Sequence, residues 1–171
     1  MKNIKVITTI SMMLAIAIVL NVVEMQLSFI PVPGAKIGFA NLVTLIVLYI
    51  YGFKWAFTVN VLRVVIVAGF FSPKGFDYTF YMALTGAVTS VSLMALLKQF
   101  TKIHVVTVSV LGAVMHTVGQ VAILMISLET LPLIFYLPIM LVISIPSGIL
   151  IGIIGKRFFQ VFKEIPHLDT F

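Results

Sequence analysis

Few residues in this chain have both the type and the spacing for chemistry. Asn60 and Arg63 stand three apart in the run GFKWAFTVNVLRVVIVAGFF that begins at Gly52. Further along, Gly112, His116 and Gln120 recur at intervals of four. On a helix both spacings place side chains on one face. A guanidinium so placed can bind a carboxylate, a phosphate or a carbonyl oxygen, and a histidine beside a carboxamide can hydrogen-bond a ligand. Lys36, Asn41, Tyr81 and Thr85 complete the set of polar groups able to line a binding site with Arg63, His116 and Gln120.

Other chemistries lack their residues. The chain has no cysteine, which excludes disulfides, thiolate catalysis and thiolate-held metals or clusters. No second histidine or carboxylate has ligand spacing to His116, so no metal site is expected. Gly155-Lys156-Arg157 lacks the upstream glycine and the following Ser or Thr of a phosphate-binding loop. The only aspartates, Asp77 and Asp169, are too far apart for a magnesium–diphosphate motif. The serines have no histidine and acid arranged around them. Thr85-Gly86-Ala87-Val88-Thr89-Ser90 approaches a flavin-attachment motif but carries Val88 where a hydroxyl is needed. No catalytic residue is expected in this chain.

The elements that must position these groups follow from composition. Of 171 residues, 61% are apolar and 9% charged, against about 25% charged in a soluble domain. The pattern is that of an all-α integral membrane protein with a single domain over residues 1–171. Six spans are predicted at about 7–23, 37–51, 54–71, 78–97, 105–126 and 131–154. The second is short and follows Pro31 and Pro33, so its start either lies close to the membrane normal or dips in as a loop. Lys2 and Lys5 before an apolar run resemble a signal peptide, but Ala15 and Ala17 lie inside the run and no cleavage site follows; a retained first helix is expected.

With the N-terminus inside, Lys2, Lys5, Lys54, Lys98, Lys102, Lys156, Arg157 and Lys163 fall on one side. Lys36 and Lys74 fall on the other, with Glu24, Asp77 and Glu129. This asymmetry predicts both termini in the cytoplasm of a cell-membrane protein. It also accounts for the net charge of +6 without nucleic-acid binding. In this orientation Arg63 lies about 13 Å along its span, and the polar groups converge on the outer half of the bundle. The Glu24–Lys36 connection, EMQLSFIPVPGAK, is long and stiffened by two prolines; it reads either as a lid or as a packing turn.

No acid lies in the interior of a predicted span, so the partner of Arg63 is open. It is backbone carbonyl groups freed by Pro138 and Pro146, neutral side chains such as Asn60 or Ser144, or an anionic or carbonyl-bearing ligand. His116 likewise satisfies either a neighbouring helix or a ligand. Ser144, Gly148 and Gly152, and Ser11 with Ala15, form small-residue faces suited to close helix contact. Such a face serves internal packing or docks a partner.

The stretch Pro33-Gly34-Ala35-Lys36-Ile37-Gly38-Phe39-Ala40-Asn41-Leu42, followed by Asn60-x-x-Arg63 and Thr85-Gly86, resembles the Gx transporter family, also labelled heptaprenyl diphosphate synthase component I. The resemblance covers most of residues 5–160. It implies a fold similar to the S components of energy-coupling factor transporters. These are six-helix proteins that bind a micronutrient near the outer face and depend on a membrane coupling protein and two ATPase subunits. It implies docking of the coupling protein on span 1, where this chain has Ser11-x-x-x-Ala15. It implies a substrate-binding subunit with its pocket under the 24–36 loop. The only tryptophan, Trp55, is expected at the inner interface, away from any such pocket. The resemblance also implies an alternative, a membrane subunit of a quinone, isoprenoid or flavin-based extracellular electron-transfer system of bacteria. There a bound quinone or flavin would be the redox group. A structural anchor for a redox partner is the third reading. The importer predicts a closed aqueous pocket, the quinone subunit a lipid-facing slot, and the anchor a bundle packed solid.

Overall fold

The computed structural model describes residues 2–26, 38–73 and 75–163. Six α-helices account for most of them: α1 (Lys2–Gln26), α2 (Phe39–Tyr51), α3 (Phe53–Phe70), α4 (Tyr78–Phe100), α5 (Val105–Ser127) and α6 (Tyr136–Lys163), the last preceded by a 3-10 turn at Leu131–Phe135. Five of these segments are long and apolar enough to cross a membrane, and α2 is the short exception. The chain is a multi-pass membrane protein built as an all-α bundle. Loops play little part because unpaired backbone is too costly in hydrocarbon.

The short helix is the central one. α2 packs against α1, α3, α4 and α6, and Ala40 and Val43–Leu48 are all buried. A helix apolar on every side belongs inside a bundle, and from there it need not span the full bilayer. Its 13 residues rise about 20 Å. Its last carbonyls are met by Lys98 of α4, whose Nζ donates to Leu48 O at 2.8 Å and Tyr49 O at 3.3 Å. The same ammonium stands 5.1 Å from the Tyr49 ring centroid. A lysine at a helix C-terminus both satisfies carbonyls and complements the dipole.

Helix contacts elsewhere depend on small residues, as expected where lipid competes equally for apolar surface. α5 lies between α4 and α6 and packs extensively on both. At Gly152 a β-carbon would stand 2.7 Å from the Val106 Cα, and at Gly148 2.9 Å from that of Val110. The Ser144–Gly148–Gly152 face is therefore internal packing. Ser109 Oγ adds a 2.8 Å bond to the Gly148 carbonyl across the same seam. By contrast, Ser11 and Ala15 are exposed on α1. α1 packs chiefly on α2 and α3, and its apolar window is only 17% buried, the lowest among the five long helices.

Candidate functional site

The site begins with a hairpin. Gly52 alone separates α2 from α3, and its φ of 86° is a conformation that favours glycine. So tight a turn forces level pairing. Thr44 lies seven residues before Tyr51, and Asn60 seven after Phe53; Asn41 and Arg63 lie ten before and ten after. Two polar rungs result, the second about 15 Å above the turn. On the lower rung, Thr44 Oγ1 donates to Asn60 Oδ1 at 3.2 Å. On the upper, both terminal nitrogens of Arg63 reach Asn41 Oδ1 at 3.4 Å.

Asn60 is the hub. It is 1% exposed. Its Nδ2 donates to the Ala87 carbonyl of α4 at 2.8 Å, and its Oδ1 accepts from Arg63 Nη2 at 2.7 Å. Of the partners left open by the sequence for Arg63, neutral carboxamides are the ones it meets. The guanidinium is 4% exposed, and its Nε has no hydrogen-bond partner among the described residues.

α1 supplies the opposite wall. Ala17, Asn21 and Glu24 are all buried at the helical spacing of four and three. The Glu24 carboxylate accepts from the backbone N–H of Gly38 and from that of Phe39 at 3.2 Å. These are N–H groups that a helix start leaves without an internal partner, and a negative charge there also complements the dipole. Glu24 thus caps α2 from α1. Its charge also acts on Arg63. The sequence places Glu24 just beyond the end of its span, on the outer side. In the structure α1 continues to Gln26 and Glu24 turns inward, because α2 provides donors for it.

A cavity of about 70 Å³ lies between these walls and is lined from all six helices. It admits a few water-sized groups; pockets for drug-sized ligands run to about 300–1,000 Å³. Asn41, Arg63, His116 and Gln120 are among its lining residues, so four of the seven residues expected to form a site come together. His116 also packs on α4, its Cδ2 3.0 Å from where a Gly86 β-carbon would stand. Tyr81 does not line the cavity and is 51% exposed. It lies nine residues from Ser90, which lines the cavity, so the two point about 180° apart on α4. Thr85 also lies off the cavity. Its carbonyl faces Gly119 across the α4–α5 seam, and it accepts a 2.8 Å bond from Thr89 Oγ1. Lys36 and the lid reading of the 24–36 loop beyond Gln26 lie outside the described residues.

Asn21, Glu24, Ser90, Ser109, Thr117, Ser144 and Ser147 also line the cavity and were not among the expected site residues. The i, i+3 pairing of Asn21 with Glu24 was the available signal. No phenylalanine, tyrosine or tryptophan is among the described lining residues. Among the described residues no group of three or more His, Cys, Asp or Glu is placed to hold a metal.

A second, more open crevice of about 520 Å³ lies at the other end of α2 and is lined by Leu48, Phe53, Leu96 and Lys98, among others.

The family model described as heptaprenyl diphosphate synthase component I matches residues 13–158, which run from α1 into α6. No curated protein matches the chain, and no solved structure matches it.

Proposed function

Because the chain belongs to the heptaprenyl diphosphate synthase component I family, we propose that it is the substrate-binding membrane subunit of an energy-coupling-factor-type micronutrient importer in the cell membrane. The observation that carries this reading is the polar cavity around Arg63. A buried guanidinium held by neutral amides, with Nε to spare, is suited to an anionic or carbonyl-bearing ligand.

Orientation supports an outward opening. Lys54, Lys98, Lys102, Lys156 and Arg157 flank the end of the bundle that holds the α2–α3 turn. By the positive-inside rule that end is cytoplasmic, and the Arg63 cavity then lies toward the outside. A vitamin-sized ligand needs more room than the cavity offers, so a wall must move. Among the described α-helices α1 packs on the fewest others, chiefly α2 and α3, and is the wall that would move. The energy for transport would come from a coupling protein and two ATPase subunits, since the sequence has no nucleotide-binding loop.

The second reading, a quinone- or isoprenoid-handling subunit, is favoured by the crevice at Lys98. Phe53 and Leu96 in it are 45% and 52% exposed, as a slot open to lipid requires. The cavity counts against a bundle that serves only as an anchor.

Affinity purification from native membranes separates these readings. The importer reading expects a coupling protein and two ATPases in a fixed ratio with the chain. Co-purification of a flavoprotein or quinone enzyme in their place would overturn it.

A further inference from the structure

The proposed ligand would need to satisfy the α1 wall as well as Arg63. Asn21 is 8% exposed and lines the cavity, yet its Oδ1 has no hydrogen-bond partner among the described residues. A buried carbonyl oxygen without a donor is costly, and such exceptions in a cavity point to a ligand. The oxygen can only accept, so it calls for an N–H or O–H on whatever fills the cavity. One turn further along α1, the Glu24 carboxylate adds a second acceptor. Facing them is Arg63, which can only donate, with Nε unused.

The cavity is therefore polarised, with acceptors on α1 and donors on α3. Among the described lining residues the charged groups are Arg63 and Glu24. A ligand of net charge would upset that balance in a buried site, where an uncompensated charge is expensive. A neutral molecule with a donor at one end and a carbonyl or carboxylate at the other would keep it. Among the described lining residues there is no phenylalanine, tyrosine or tryptophan, so no large ring is there to stack on a ligand.

We propose that the cavity selects a small dipolar ligand, a zwitterion or a ureide, with Asn21 as the residue that reads its hydrogen-bond donor. This rests on the substrate-binding reading and deepens it. Binding would tie α1 to α3 through the ligand, and so draw in the helix with the loosest packing.

The test is equilibrium dialysis of the whole purified chain in lipid nanodiscs against three defined sets of probes. One set holds zwitterionic amino acids and cyclic ureides, one holds monocarboxylates of matched size, and one holds matched primary amines. Wild type, Asn21→Leu and Asn21→Asp are compared, with helix content and thermal unfolding monitored for each. The expected result is retention of a dipolar probe by wild type. Retention falls about tenfold or more in Asn21→Leu, the range for losing a buried hydrogen bond. Asn21→Asp keeps the size and adds a charge, and it shifts preference toward the amine set. Should Asn21→Leu fail to fold, the Asn21→Asp shift carries the test. Retention of monocarboxylates over dipolar probes, or equal retention of a dipolar probe by all three proteins, would overturn the role of Asn21 and leave substrate binding standing. Retention of no probe by wild type would overturn both.

Discussion

Arg63 donates through Nη2 to the side-chain oxygen of Asn60 at 2.7 Å, one helical turn away on the same strand of chain. Asn60 in turn is bonded to α2 through Thr44 and to α4 through the Ala87 carbonyl. The charge is thus held by a residue that also holds three helices together, which separates the structural duty from the ligand-binding one.

Asn60→Leu is expected to cost stability above all. It leaves the Arg63 guanidinium without its shortest bond inside a bundle, and a hydrogen bond to a charged group contributes about 1.5–3 kcal/mol. Thermal unfolding followed by circular dichroism in detergent should show a large fall in Tm. An unchanged Tm would mean that Asn60 is not the hub described.

Arg63→Ala is expected to do the reverse. Asn60 keeps its bonds to Thr44 and Ala87, so the fold survives. A charge-assisted bond to ligand is lost, and affinity falls about tenfold or more. Arg63→Lys should recover little of it, because an ammonium lacks the planar fork. Unfolding by Arg63→Ala that no ligand offsets would make the arginine structural glue.

Glu24→Ala removes the cap on α2. The expected cost is about 1 kcal/mol, with faster hydrogen exchange at the Gly38 and Phe39 amides. Exchange unchanged from wild type would show that the carboxylate does not hold those N–H groups.

Two substitutions at small residues should behave oppositely. Gly152→Leu drives a side chain into α5, where the Val106 Cα is 2.7 Å from the place of a β-carbon, and should cost about 1–3 kcal/mol. Ala15→Leu lies on the exposed face of α1 and should leave Tm unchanged. If the proposed coupling protein docks there, Ala15→Leu should reduce its co-purification. Equal recovery would remove α1 as the docking face.

Much of this was legible in the residues. Length and hydropathy predicted the five long spans and the short sixth, and the i, i+3 spacing tied Asn60 to Arg63. The Ser144–Gly148–Gly152 face could be read as a helix contact because only close approach rewards that spacing. The rotation of α4 was not legible. Tyr81 and Thr85 share a helix with Ser90 but not its face, and hydropathy in a lipid-bound helix says little about which side turns inward. The inward turn of Glu24 was hidden for another reason. Its partners, the amides of Gly38 and Phe39, lie 14 and 15 residues away, and no local pattern reports such a cap.

The most direct test of the central claim is native mass spectrometry of the gently extracted protein beside its Arg63→Ala variant. A water-soluble small molecule held by wild type and missing from the variant is the result expected of a substrate-binding subunit built around Arg63. A quinone, an isoprenoid or a flavin held equally by both proteins would contradict that account and move the function to the crevice at Lys98.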